Sequence, residues 1–464
     1  MSSAAVSNFT GKAFNTQGAL WRRIRTACYS LLYILGVHYA YVGYIHPTFE
    51  YAHYIYLDHS STSLFTTYLL AWLPIAAHRP SSDPAQAVAA LIYTLSYVPI
   101  QLSLLFSVDI KYDHLVWIQI MLAGSMVVLF TVAKAQRKRS PQLRSNQFRQ
   151  LDCVIGALAL MATALLLAAN AEHMRLVSFG DVYDLRFESA AVPQSTASAY
   201  LISWLSYCFI SYLYARGLFY QKWVYIAAGL AMSLTLYMST GAKTAILLLP
   251  VSMGLNWLWD NGRDFLPRLL GAMVLSILVL VLVLPDSGVW MWMKSIFLVR
   301  VLGTAGWTAS KYLEHFGAEG LTYYSHIGPI NALTHSYPFG DLSLGQMIGL
   351  AYSGSTEANF NASFWASDGF AALGPIGVLV VTPFVAGVLY LINRITSNLN
   401  SRFTVLWMGG FFMALLNVPL STALLSGGGL VIFLLAWWLS RRHIGARRRS
   451  ARRLDTPHTT MSSP

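Results

Sequence analysis

Apolar runs of bilayer length recur along nearly the whole chain, and no other feature restricts its fold so strongly. A helix needs about 20 apolar residues to cross the hydrocarbon layer, where an unpaired backbone polar group is costly. Twelve runs qualify, near 25–46, 61–78, 85–107, 115–133, 151–170, 198–215, 223–239, 242–259, 268–285, 370–392, 403–421 and 427–440. The expectation is an all-α fold: a polytopic membrane helix bundle of about 12 transmembrane helices, with 1–464 as a single integral membrane domain. Only 11% of residues are charged, against about 25% in soluble domains. That balance excludes disorder, a nucleic-acid-binding domain and an ordinary soluble enzyme. Residues 1–20 are polar, and Arg22, Arg23 and Arg25 precede a run too long for a signal-peptide core, so no cleaved leader is expected. Cys28, Cys153 and Cys208 lie in apolar stretches and imply no disulfide framework.

Basic residues orient the spans. With both termini cytoplasmic, the inner side holds Lys12, Arg22, Arg23, Arg25, Arg79, the six from Lys134 to Arg149, Arg216, Lys222, Arg263, Arg268, Arg394, Arg402 and seven in the basic tail 441–464. The outer side keeps Lys111, Arg175, Arg186, Lys243, Lys294, Arg300 and Lys311, a 24-to-7 division of the 31. Such a bias is the positive-inside rule, and adding or removing one span would scramble it. About 14 of the 19 acidic residues fall outside. The inner basic runs therefore read as topology and attraction to anionic lipid, not as a nucleic-acid footprint.

Two loops are long, and both are expected outside: 171–197 and 286–368. Loops beyond about 15 residues are usually functional or disordered. The larger one holds Trp290, Trp292, Trp307, Tyr312, Tyr323, Tyr324, Tyr337, Tyr352 and Trp365 with no long Ser or Pro tract, so it should be ordered. Thr308 to Phe316 could form a short helix with Tyr312 and Phe316 at i, i+4. We expect a large ordered outer loop of short helices lying on the membrane. Its aromatic rings suit sugars, whose faces are apolar and whose edges are hydroxyl. Trp290 and Trp292, next to a span end, fit an interfacial belt better, whereas Trp307, Tyr323 and Tyr324 suit either role.

The candidate chemistry is confined to these loops and to helix ends. Arg186, in Asp181-Val-Tyr-Asp-Leu-Arg-Phe-Glu, offers a forked donor array for phosphate oxygens, or pairs locally with Asp184 or Glu188. Lys243 follows the turn Ser239-Thr-Gly-Ala and opens a span on the outer side, for function or for snorkelling. Arg300, in Phe297-Leu-Val-Arg-Val-Leu-Gly, needs a ligand or a buried ion pair. His315, His326 and His335 match no metal-ligand spacing. A general base is more plausible, since His titrates near neutrality, and His326 is flanked by turn residues and aromatics. Asp368 stands where polar loop passes into a membrane helix, as an N-cap or as a chemical group.

Tyr183-Asp-Leu-Arg186, Thr240-Gly-Ala-Lys-Thr244, the large late outer loop and Phe364-Trp-Ala-Ser-Asp-Gly-Phe-Ala-Ala-Leu-Gly-Pro-Ile-Gly377 together resemble the Wzy-type oligosaccharide-repeat polymerases. In that family an acidic residue six before a Gly, then Gly-x-x-Gly, opens a late span; Asp368, Gly374 and Gly377 match. The family's basic residue after a Thr-Gly turn corresponds to Lys243, and its Arg in the first long outer loop to Arg186. The motifs lie within 180–380, and their shared order carries the resemblance.

The resemblance implies a glycosyltransferase of the bacterial inner membrane that polymerises undecaprenyl-diphosphate-linked repeats at the periplasmic face. The growing chain passes to the incoming repeat and undecaprenyl diphosphate leaves. Arg186, Lys243 and Arg300 would bind the pyrophosphate, Arg175, Tyr323 and Tyr324 would contact the substrate, and His326 or Asp368 would act as base. His326 is preferred, because an ordinary His lies nearer the working pH than an ordinary Asp. The partners implied are the lipid-linked oligosaccharide, membrane lipids, a chain-length regulator and a flippase, with no nucleic acid. No cofactor and no metal are expected. Two alternatives stay open: an O-antigen ligase, whose His-Asn pair is here Asn359-Phe-Asn361 without His, and a lipid-linked sugar transporter, whose paired halves are not visible here.

Overall fold

The computed structural model describes residues 3–134, 145–177, 182–259, 264–361 and 364–454. Most of the basic run after Lys134, Asp181 and the end of the basic tail lie outside the described residues. The protein is helical, with no strand among the described residues. Among the described residues, seven helices are long and apolar enough to cross a membrane: Gly18–Ala52, Pro84–Ser107, Tyr112–Ala133, Arg149–Asn170, Trp223–Thr240, Phe265–Val283 and Pro375–Ile395.

The other five apolar runs take shorter or broken forms. Ser61–Trp72 ends in a 3₁₀ turn, Leu73–Ala76, that contains Pro74. Proline lacks the N–H that a continuing helix would use. Thr196–Trp204 and Ile210–Tyr220 are joined through a π-helical turn, Leu205–Phe209. Lys243–Leu258 and Gly429–Arg441 are apolar but short. The run near 403–421 divides into Ser401–Trp407, Gly409–Asn417 and the start of Leu420–Leu425.

The chain forms two compact units. The first comprises 1–136, 254–391 and 412–424, and the second 137–253, 392–411 and 425–464.

At the centre of the first unit stands Pro84–Ser107, almost wholly buried. Its side chains are apolar or uncharged, and several of the polar ones are tied to neighbouring helices. Tyr97 donates to the Leu70 carbonyl at 2.7 Å and Tyr93 to that of Ala71 at 3.0 Å. Gln101 and Gln119 exchange side chain-to-carbonyl bonds of 2.9 and 3.1 Å, and Gln119 also donates to Thr67 at 3.0 Å. Such bonds replace the hydrophobic driving force that helices lose in lipid. A π-turn, Tyr93–Tyr97, precedes Pro99 and absorbs the backbone bond that the proline cannot make. Gly18–Ala52 runs beside Phe265–Val283 in the same direction. Arg25 pairs with Asp264 at 2.6 Å near one end, and Gly36 lies against Ile277 farther along.

Segment 286–368 contains the expected short helices, Gly288–Lys294, Thr304–Glu319, Gly328–Thr334 and Leu344–Ser353. Tyr312 and Phe316 are in ring contact at 5.3 Å, as their spacing predicts. One feature of the expected cap differs. Thr304–Glu319 does not lie as an outer layer, because residues 305–312 are buried against Pro84–Ser107 and Phe364–Leu373. The cause is its small face: Gly306 sits so close to the Pro99 carbonyl and Ser103 that a β-carbon there would collide with both.

In the second unit, Ile210–Tyr220 and Trp223–Thr240 form a hairpin that turns at Gln221, whose φ is 55°. Gly217 admits Ile226, and Gly229 admits the Tyr214 ring. Arg216, only 1% exposed, is held by both carboxylate oxygens of Asp152, at 2.9 and 2.7 Å. Tyr212 donates to the same carboxylate at 2.6 Å, and the rings of Phe148 and Tyr220 lie within 5 Å of the guanidinium.

Candidate functional site

The late motif folds around its glycines. Phe364–Leu373 ends where Gly374 takes a left-handed φ of 61°, and Pro375 then starts Pro375–Ile395. A glycine after the last helical residue and a proline at the first are the residue types these positions favour. Gly369 and Gly377 let the two helices meet backbone to backbone: a β-carbon at Gly377 would strike the Gly369 carbonyl. Asp368 is therefore not at the opening of a span, as its sequence setting suggests. It lies inside the short helix before the break, and its Oδ2 accepts from the Leu420 N–H at 3.1 Å.

The loop carrying His326 closes onto the end of that same helix. Thr322 N–H donates to the Ala371 carbonyl at 2.8 Å and Tyr323 N–H to that of Ala372 at 2.9 Å. The last carbonyls of a helix have no partner within it, so this loop supplies one from outside. To do so it bends through two successive left-handed residues, Tyr323 at φ 49° and Tyr324 at 63°. For non-glycine residues that costs about 1–2 kcal/mol each. The Tyr324 hydroxyl, bonded to the Gly377 carbonyl at 2.9 Å, helps hold the bend.

The two candidates for the general base are thereby brought together. His326 Nε2 stands 3.4 Å from Asp368 Oδ1, and both side chains are 5% exposed. Neither of these two atoms makes a hydrogen bond within the described residues. The ring is held from its other side, where Nδ1 is 2.8 Å from the Thr322 hydroxyl. That hydroxyl has one proton, and it is 3.1 Å from the Ala371 carbonyl, which can only accept. With the proton donated there, the oxygen is left to accept from Nδ1–H. This assignment puts the lone pair of the neutral ring on Nε2, on the side of the carboxylate. Burial first, and the Asp368 charge second, push the neighbouring Tyr324 hydroxyl up to about 12. Thr322 carried no signal in the sequence, since its role depends on a main-chain carbonyl remote along the chain.

The remaining candidates divide between the units. Arg300, Tyr323 and Tyr324 belong with His326 and Asp368; Arg175, Arg186 and Lys243 belong to the second unit. Arg300 is exposed, on the π-helical run Ser295–Gly303, where the sequence suggested burial. Its charge acts on Tyr54, which burial raises to about 12 while Thr304 and Arg300 pull the other way. Tyr323 is exposed and Tyr324 half-buried.

In the second unit, Arg186 Nε donates to the Gly241 carbonyl at 3.2 Å. Gly241 takes a left-handed φ of 62° and leaves no room for a β-carbon beside Val182 and the Arg186 stem. Lys243 follows two residues later, half-buried. Two motifs far apart in sequence thus meet at one turn. Arg175 pairs with Glu188 at 2.8 Å and holds that carboxyl below its ordinary range. Glu188, weighed as a partner for Arg186, is engaged by Arg175 instead.

No family model, no curated protein and no solved structure matches this chain.

Proposed function

We propose that the protein is a membrane glycosyltransferase that polymerises undecaprenyl-diphosphate-linked oligosaccharide repeats at the periplasmic face of a bacterial inner membrane. The observation that carries this reading is the buried His326–Asp368 pair, 3.4 Å apart and tethered through Thr322. Glycosyl transfer to a sugar hydroxyl needs a group that takes the hydroxyl proton as the new C–O bond forms. His326 Nε2 is the acceptor for that proton, and Asp368 stabilises the imidazolium that results. The bond that breaks joins the anomeric carbon of the growing chain to its diphosphate, which leaves with the electron pair. Fixed positive charge lowers the barrier where that negative charge develops. By sequence, Arg186, Lys243 and Arg300 are assigned that role.

The decisive experiment incubates purified protein with lipid-linked repeat. A ladder of glycan lengths supports polymerisation. Transfer of one preformed chain to a different lipid acceptor indicates a ligase, and translocation without elongation a transporter.

The twelve-span arrangement with both termini cytoplasmic belongs to the same proposal. In a variant lacking its own three cysteines, single cysteines at 140 and 455 should react only from the cytoplasm. Cysteines at 190 and 330 should react only from the periplasm. One reversed site would sink the arrangement.

Arg186→Ala and Arg300→Ala should each abolish elongation while leaving the protein inserted and abundant. Lysine at either position should rescue poorly, because a point charge lacks the forked geometry of guanidinium. Normal polymer from Arg300→Ala would remove that residue from the diphosphate role.

A further inference from the structure

A general base beside a sugar diphosphate serves water as readily as it serves a sugar hydroxyl. Water held at His326 Nε2 would lose its proton there while its oxygen bonds to the anomeric carbon. The bond from that carbon to the diphosphate would break, the diphosphate would leave with the electron pair, and the growing chain would be shed as free glycan. Closing the site to water prevents a side reaction of this kind.

His326 Nε2 and Asp368 Oδ1 face each other across 3.4 Å, and both are shut off from solvent. Three of the groups around them are buried: Thr322 behind the ring, Leu420 at the other carboxylate oxygen, and Tyr312 within reach of the Asp368 charge. Tyr324 is different. Its ring lies 6.0 Å from that of His326 and the Asp368 charge acts on its hydroxyl, yet the residue is only half-buried. It reaches from the pair to the surface.

Little holds it there. The hydroxyl makes one hydrogen bond, to the Gly377 carbonyl at 2.9 Å. Against that bond stands the backbone, left-handed at both Tyr323 and Tyr324, where non-glycine residues are strained. Tyr323 is 68% exposed, so its side chain adds little to the hold. Turning the Tyr324 side chain outward breaks that one bond and leaves the imidazole anchored on Thr322.

We infer that Tyr324 is a gate that keeps water from the His326–Asp368 pair and turns aside for the acceptor sugar, which makes it a determinant of sugar over water as acceptor. Its role in acceptor choice rests on the polymerase reading; the closure does not.

The test treats full-length protein in detergent with diethyl pyrocarbonate, which modifies a neutral imidazole at the nitrogen that carries the lone pair, and follows each histidine peptide by mass spectrometry. Exposed His335 in the same chain is the reference. In wild type, His326 should react much more slowly than His335. Tyr324→Phe keeps the ring but not the bond, and should speed His326 about two- to tenfold, the scale of one hydrogen bond. Tyr324→Ala should speed it more than about tenfold, because the ring contact goes too. His78, whose ring nitrogens are shut off from solvent elsewhere in the same unit, should stay unreactive in all three proteins. If Tyr324→Ala exposes His78 as well, the variant is loosened throughout and Tyr324→Phe decides. A wild-type His326 as reactive as His335, or labelling that neither variant changes, would overturn the gate. Supplied with lipid-linked repeat, Tyr324→Ala should release more free glycan relative to ladder than wild type. A ladder with no added free glycan would overturn the role in acceptor choice. Faster labelling of the variants, with no ladder even from wild type, would support the gate and refute the polymerase reading.

Discussion

Replacing His326 with alanine is expected to lower elongation about 10²–10⁴-fold, the range that a positioned acid–base group contributes. Binding of the lipid-linked repeat should change little, because the imidazole is assigned to proton transfer and not to holding the diphosphate. Asp368→Asn should act differently. The amide oxygen can still accept from the Leu420 N–H, so the fold is kept, but the charge facing the imidazolium is lost. Thr322→Val should lower turnover with KM nearly unchanged, since the ring loses the hydroxyl that fixes its tautomer. Thr322→Ser should restore it, which a merely space-filling role would not explain. Near-normal turnover in His326→Ala together with an inactive Asp368→Asn would reverse the roles and make the carboxylate the base.

The largest expected loss of stability lies in the second unit, at Asp152→Ala. Removing one partner of a buried ion pair leaves a charge that neither water nor protein compensates, which costs about 3–5 kcal/mol. Arg216 is 1% exposed, whereas the Asp152 side chain is 17% exposed, so water entry should hold the loss to the lower end of that range. Asp152→Asn, which keeps an acceptor for Tyr212 or Arg216, should lose less. The double replacement Asp152→Leu with Arg216→Met should be more stable than Asp152→Ala alone, because no orphaned charge remains. Denaturant titration in detergent, followed by tryptophan fluorescence, reads all four proteins. A wild-type midpoint for Asp152→Ala would mean that the pair behaves as an exposed one, where such bridges contribute little.

What the sequence discloses here follows the range of each interaction. Hydropathy is local, so the helical class and most apolar segments are legible from it. Breaks inside those segments are less so, because they depend on single residues such as Pro74 within Leu73–Ala76. The Gly374-Pro375 pair did hold a readable signal, a helix stop followed by a helix start. That signal places Asp368 inside a short helix and not at the mouth of a long one. His326 and Asp368 were each visible as chemical residue types in polar surroundings, but not their contact. That contact requires the loop at Thr322 to find the carbonyl of Ala371, and main-chain carbonyls leave no trace in composition. Arg216 was hidden for a further reason. Counted among inner basic residues, it looked like a topological charge, and only packing against Phe148, Tyr220 and Asp152 distinguishes it.

The loop that closes onto Phe364–Leu373 does more than satisfy that helix's last carbonyls. The imidazole hangs from Thr322, Thr322 hangs from Ala371, and Ala371 is in the same short helix as Asp368. The separation between proton acceptor and carboxylate is thus referenced within one small block of backbone, and not across the width of a helical bundle. Membrane proteins tilt and compress as bilayer thickness changes. A spacing assembled from distant spans would drift with every such change. Here the imidazole and the carboxylate are both referenced to Phe364–Leu373, so on the proposed reading their spacing does not have to be assembled from distant spans.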